Sequence, residues 1–299
     1  MEKNKILVSG LVNMESSVSI DSFPINYSAI EYPFFGVSSC VSGVGFNIAK
    51  ALKALGSNVD LLSEVGSDLN GEIIRKEIKQ LGINPRYCYT YIGYQTAESV
   101  VLVDKQGKRK IYCDLKDIQD RTPLNENAIN LNNYSLAVLT NINFNRDLLK
   151  AAKQRNIVIA SDVHVLNSIS DIYNEDFMKY SDILFLSNEA ILGKEGEFLR
   201  DIYQKYHNDI IVCGCGHEGA LMYVGKEDKY YYEPAKAPLG VKNTVGAGDA
   251  LFSAFVHFYN KGIEIEKCLK KAVLFAGLKI SQSGGSNGFA SEDQLAQFE

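Results

Sequence analysis

Soft metal ligands are few in this chain. It has four histidines and six cysteines (Cys40, Cys88, Cys113, Cys213, Cys215, Cys268), scattered along 299 residues. Cys213 and Cys215 form C-x-C, not the C-x-x-C of a zinc or redox pair, so the spacing supports neither a zinc site nor a disulfide framework. Free thiols in a reducing cytoplasm are the reading that remains. Long apolar runs are also missing. No stretch reaches the roughly 18 apolar residues of a membrane span, and the run in MEKNKILVSGLVN is too short for a signal core. Neither sign of charge dominates: 31 basic and 36 acidic residues leave a net charge of −5, which gives a nucleic acid no basic surface to bind. No G-x-x-x-x-G-K-[ST] occurs, which excludes a P-loop. Gly43-Val44-Gly45 lacks the third glycine of a dinucleotide fingerprint and does not follow the first strand directly.

What is present is an ordinary globular composition, 46% hydrophobic and 22% charged, in a chain long enough to bury about three quarters of its unfolded surface. Lys5–Val12 reads as a buried first strand. IAKALKALG and SDLNGEIIRKEIKQLG carry helical periodicity, with Ser67 or Asp68 as N-cap and Gly56 and Gly82 as stops, on either side of a strand at 59–66. From 135 onward strands and helices alternate: strands at 135–140, 157–163, 182–187 and 209–214, helices at 146–156 and 197–207. A hairpin (ALMYVG, KYYYEPA) and final helices near 264–283 complete the order. This order predicts an α/β fold, a doubly wound and mostly parallel sheet with ligands at the C-terminal strand ends. Residues 16–40 and 87–115 show no helical period and read as a small separate β-sheet lid. No linker divides the chain, so one domain over 1–299 is expected.

The stretch Asn243-Thr244-Val245-Gly246-Ala247-Gly248-Asp249 runs directly into an apolar helix. Small residues at a helix start bring free amides and the positive dipole end together, an arrangement that binds anions. Asp249 there reads either as a helix-start acid or as a base that takes a proton from a hydroxyl while a phosphoryl group arrives. Other polar groups fall close to strand ends: Asn13 and Glu15, Asn47, Asn188 and Glu189. Each alone is a common turn former or helix-start acid; their shared placement points to a site.

Taken in order, these motifs resemble the ribokinase-like (PfkB) family of carbohydrate and nucleoside kinases over essentially the whole chain. GLVNME (10–15) is similar to its first-strand end, SGVGFN (42–47) to its Gly-Gly-x-Gly-x-Asn motif and SNE (187–189) to its Asn-Glu pair. CGCGHEGA (213–220) is similar to its nucleotide turn, and NTVGAGD (243–249) to its Asp-Thr-x-Gly-Ala-Gly-Asp signature. The resemblance implies an ATP- and Mg²⁺-dependent phosphotransferase acting on a hydroxymethyl of a small sugar or nucleoside. Asp249 would be the base and Gly246, Ala247 and Gly248 the anion hole. Asn13, Glu15, Gly43 and Asn47 would grip the acceptor. Asn188, Glu189, Gly214, Gly216, Asn243 and Thr244 would serve ATP and Mg²⁺, with Glu189 reaching the metal through water. The lid would close over the substrate and pair two copies into a homodimer. Several residues depart from the family pattern. Glu15 replaces an Asp, Ser42 a Gly, and Val44 the Lys of ribokinases. Gly214 stands where many members have Thr. Asn243 replaces the signature's first Asp, beside which some members hold a monovalent cation, so a K⁺ requirement stays open. The Gly-Val-Gly-x-Asn-Ile-Ala pattern together with Asn243 is closer to pseudouridine kinases. A non-catalytic binding protein of the same fold is the alternative; it would be marked by loss of Asp249 or of the Gly-Ala-Gly turn, and both are intact.

Overall fold

The computed structural model describes residues 4–119, 129–282 and 284–299. Its centre is a nine-stranded sheet in the order β13-β12-β11-β10-β9-β8-β1-β4-β5. The strands are β1 (Lys5–Ser9), β4 (Asn58–Gly66), β5 (Cys88–Tyr91), β8 (Leu136–Leu139), β9 (Val158–Val165), β10 (Ile183–Ser187), β11 (Ile210–Gly214), β12 (Gly219–Val224) and β13 (Lys229–Pro234). All neighbours pair in parallel except β11–β12 and β12–β13. Successive strand side chains point to opposite faces, and the core divides accordingly. Ile6, Val8, Leu136, Val138, Ile183 and Phe185 pack on one face; Leu7, Ala137, Leu139, Leu184 and Leu186 pack on the other.

Helices α1 (Val44–Ala54), α2 (Leu69–Gln80), α6 (Ala247–Asn260) and α7 (Ile265–Lys279) cover the first face, while α3 (Arg146–Gln154), α4 (Glu175–Tyr180) and α5 (Glu195–Tyr206) cover the second. A short α8 (Glu292–Ala296) follows, closed by a Ser291–Gln294 capping box. Helix α6 is apolar nearly all round, with every residue from Ala250 to Phe258 buried. Phe252 and Phe255 meet Phe185 of the sheet, with ring centroids 4.8 and 5.4 Å apart. A helix buried on all sides is held rigidly, which fixes the position of its first turn. Asp68 caps α2 by accepting from the Gly71 amide at 2.9 Å, as expected from its position.

The second sheet has four strands in the order β3-β2-β6-β7, built from β2 (Asn13–Ser19), β3 (Val37–Ser42), β6 (Glu98–Val103) and β7 (Arg109–Asp114). It differs from the expected lid in two ways. Asn13 and Glu15 do not end the first strand but lie on lid strand β2, because β1 stops at Ser9 and the chain turns at Gly10–Val12. Cys88–Tyr91, at the start of the second excursion, pairs with β4 in the large sheet and not with the lid. Helices α4 and α8 were not foreseen; each is too short for a repeating apolar stripe. The first serine of the glycine-rich tail, Ser283, lies outside the described residues. Among the described residues no helix is long and apolar enough to cross a membrane.

Candidate active site

Three loops converge where the two sheets meet. The first is the start of α1. Gly43 caps it with φ +102°, and a Cβ there would lie 2.6 Å from the Leu11 carbonyl oxygen. Only glycine fits both the dihedral and the space. This tight join carries Asn47, 5% exposed, to the cleft on the first turn of α1. The second is lid strand β2. The Ser42 hydroxyl donates to Glu15 Oε2 at 3.1 Å and lies 3.5 Å from Asn47 Oδ1. Asn13 Nδ2 donates to Ser99 Oγ at 2.8 Å, while Asn13 Oδ1 is buried without a partner. A buried acceptor left unmatched is costly unless something donates to it, and a ligand hydroxyl would do so.

The third loop leads into α6. Gly246 is its N-cap at φ +80°, and a Cβ there would lie 2.3 Å from the Gly285 carbonyl oxygen. The Ala247 amide donates to Thr244 O at 3.2 Å, whereas the Gly246 and Gly248 amides meet no acceptor among the described residues. A Cβ built on Gly248 would have nothing within 4 Å. Asp249 follows, half-buried, its Oδ2 accepting from Asn47 Nδ2 at 2.8 Å. Burial raises the Asp249 carboxyl above the ordinary aspartate range, with Asp162 adding to the effect, while the Asn47 amide, His164 and Lys279 oppose it. Burial likewise raises Glu15, and the negative charge of Asp249 contributes; Ser42 and Lys279 oppose. Two carboxylates with raised pKa values therefore share one cleft with an amide-lined helix start.

On the other side of α6, the ends of β10 and β11 lie side by side, with Ser187 paired to Gly214. A Cβ on Gly214 would lie 3.7 Å from Leu251 Cδ2, so this strand end touches the first turns of α6. Asn188 is 6% exposed and donates to Glu195 Oε1 at 3.0 Å. Burial raises the Glu195 carboxyl, and hydrogen bonds from Asn188 and from the backbone outweigh it, leaving the group below its usual range. Glu189 is exposed at the rim. Gly216, at φ +56°, is also exposed. Asn243 Oδ1 accepts from the Val245 amide at 2.8 Å, and Thr244 faces solvent. No cluster of three or more His, Cys, Asp or Glu occurs among the described residues. The carboxylates present beside Asn188, Glu195 and Glu189, would fit Mg²⁺ bound mainly through nucleotide phosphates, since this ion needs only one or two protein carboxylates.

The sequence-derived residues thus form two groups, one where the lid meets α1 (Asn13, Glu15, Gly43, Asn47) and one at the strand ends (Asn188, Gly214), both reaching the start of α6 through Asn47–Asp249 and Gly214–Leu251. Four further residues were missed. Glu195, not Glu189, is the carboxylate that meets Asn188. Asp162 and His164 of β9 face Asp249 electrostatically. Lys279 is fully buried, its Nζ donating to the carbonyls of Val245 at 3.1 Å and Gly284 at 2.7 Å. A signal for Lys279 existed: it falls on the same α7 stripe as the buried Cys268, Ala272 and Phe275, where an unpaired charge should not be.

Fold and geometry together define a doubly wound α/β protein with a small lid-like second sheet and a glycine turn of open amides at the start of α6. The pfkB family carbohydrate kinase profile matches residues 14–292, and the chain belongs to that family. It is 21% identical to a ribokinase of Dictyostelium discoideum, covering 98% of this chain and 99% of that one. A nucleoside kinase of Methanocaldococcus jannaschii is 23% identical, covering 98% and 96%. The structure of Arabidopsis thaliana ribokinase complexed with ribose and ATP superposes with a TM-score of 0.80 at 18% identity, covering 98% of each chain.

Proposed function

We propose that this protein transfers the γ-phosphoryl group of ATP to a hydroxymethyl group of a small sugar or nucleoside. The observation that carries this reading is Asp249, a carboxylate of raised pKa held by Asn47 immediately after the open amides of Gly246 and Gly248. A base and an anion hole this close suit in-line transfer, where positioning and charge stabilisation do most of the work. Asp249 accepts the hydroxyl proton as the amides receive the phosphoryl group. Glu15, Asn13, Gly43 and Asn47 bind the acceptor, with Asn13 Oδ1 accepting a hydrogen bond from one of its hydroxyls. Asn188, Gly214, Gly216, Asn243 and Thr244 line the ATP side. Glu195 and Glu189 are the carboxylates that would hold Mg²⁺ there, and the ion would supply neutralisation of phosphate charge. Ribose and ATP in the Arabidopsis relative support the substrate class. The lid closes over the acceptor to exclude water. The six free thiols of the chain fit a reducing cytoplasm.

The test is ADP release from Mg·ATP against pentoses, hexoses, ribonucleosides and pseudouridine, the last chosen for the motif resemblance. Turnover on one acceptor class is expected. ATP binding without turnover on any acceptor would favour a non-catalytic binding protein.

A further inference from the structure

Lys279 has no role in the reaction as proposed above. It ends α7, is fully buried, and carries a charge into the core. Its Nζ donates to Val245 O at 3.1 Å and to Gly284 O at 2.7 Å, and lies 5.8 Å from the centroid of the Phe289 ring. Two carbonyls and an aromatic face are the groups that hold a small cation. Both carbonyls belong to the segments that shape the anion hole. Val245 precedes Gly246 directly, and Gly285, next to Gly284, packs against Gly246 so closely that a Cβ there would lie 2.3 Å from its carbonyl. One ammonium therefore ties together the two strips of backbone that set the Gly246 turn. Beside them, Asn243 brings a neutral amide, its Oδ1 occupied by the Val245 amide at 2.8 Å, so no carboxylate is offered to a free ion.

A K⁺ ion beside the signature turn does not fit these residues. The Val245 and Gly284 carbonyls gathered there already accept from the ammonium, and two monovalent cations within one shell of carbonyls repel strongly in a buried site. We propose that the Lys279 ammonium is a tethered monovalent cation that organises the anion-hole turn, so that this protein works without K⁺. Ammonium and K⁺ are close in size and carry the same charge, which is why one can stand for the other. Lys279 is a positioning residue: it touches neither acceptor nor nucleotide, and acts through the turn that does. Burial holds its pKa down to about 8, and the nearby carboxylates of Asp249 and Glu15 pull it back up; it is charged at neutral pH, as the role requires.

This inference rests on the kinase reading for its effect on rate, but not for its effect on the turn, so the experiment has two readouts. The wild type and Lys279→Met are melted, and titrated with ADP, in choline, Na⁺, K⁺ and NH₄⁺ chloride at equal ionic strength. Phosphoryl transfer is measured alongside. The wild type should melt and bind ADP alike in K⁺ and choline, with rates within about twofold. Lys279→Met should lose about 10²-fold in rate, the scale of a misplaced catalytic turn, and K⁺ or NH₄⁺ but not choline should raise both its melting temperature and its rate severalfold. A wild-type rate or ADP affinity that climbs severalfold with K⁺ over choline would overturn the proposal. So would a folded variant indifferent to K⁺ and NH₄⁺. Should Lys279→Met not fold, Lys279→Gln keeps a donor without the charge, and full activity in that variant would equally overturn it. If no acceptor turns over, melting and ADP binding still decide the question.

Discussion

Asp249 and Lys279 are opposite cases of one problem, a charge placed where water is scarce. Burial pushes Asp249 up, so its basic form is lost at a higher pH than for free aspartate. The turnover rate should therefore rise with pH through a midpoint above 3.8, as a pH–rate profile would show. Asp249→Asn should lower kcat by about 10²–10⁴-fold, the usual share of a general base, while nucleotide affinity measured by calorimetry stays within severalfold. Lys279 moves the other way, to about 8 from 10.5, with Asp249 of α6 and Glu15 of β2 facing it. Its folded pKa is depressed, so burying its charge costs stability in full below about pH 8. That cost is relieved as pH climbs towards 10.5, because there the unfolded chain alone holds the proton. Activity lost above about pH 8 through this group should be regained on returning to neutral pH, without an unfolding transition in circular dichroism.

At the scale of elements, the join between the 284–286 segment and α6 sets the shape of the Gly246 turn, the proposed anion hole. Gly246→Ala must place a Cβ at φ +80° and 2.3 Å from Gly285 O. The dihedral alone costs about 1–2 kcal/mol, and the contact forces the backbone apart. Denaturant unfolding should show a loss of at least that size, with transfer activity falling further than stability explains. Gly248→Ala is the control: a Cβ there meets nothing within 4 Å, and helix propensity favours Ala over Gly. It should leave stability unchanged or improved. Any loss of activity in it then reports crowding of the space the phosphoryl group needs.

For the whole molecule, the lid carries Asn13 and Glu15 of the proposed acceptor side and an unusual outer surface. Residues 20–36 and the lid strands expose Tyr27, Ile30, Tyr32, Phe34, Phe35, Ile111 and Tyr112. Apolar groups gathered on so small an element are what the proposed pairing of two copies would bury. If two copies pair through their lids, light scattering should show a dimer, and Phe35→Ser with Tyr112→Ser should return a folded monomer. Closure of the lid should slow amide exchange in 13–19 and 98–103 when acceptor is present; equal exchange in both states would count against it.

The strand–helix alternation, the capping of α2 and the helix-start turn at 243–249 were all legible in the sequence, because each depends on local periodicity or on turn chemistry within a few residues. The resemblance of motifs in order supplied the family. Three things needed the tertiary structure. The sheet membership of Asn13 and Cys88–Tyr91 depends on pairing with strands far along the chain, which no local pattern encodes. The meeting of Glu195 with Asn188 depends on the turn at 191–194, which brings the start of α5 back beside the end of β10. The role of Lys279 depends on two carbonyls brought to it by separate loops: sequence shows a lysine on an apolar stripe, and only the fold shows what its charge is for.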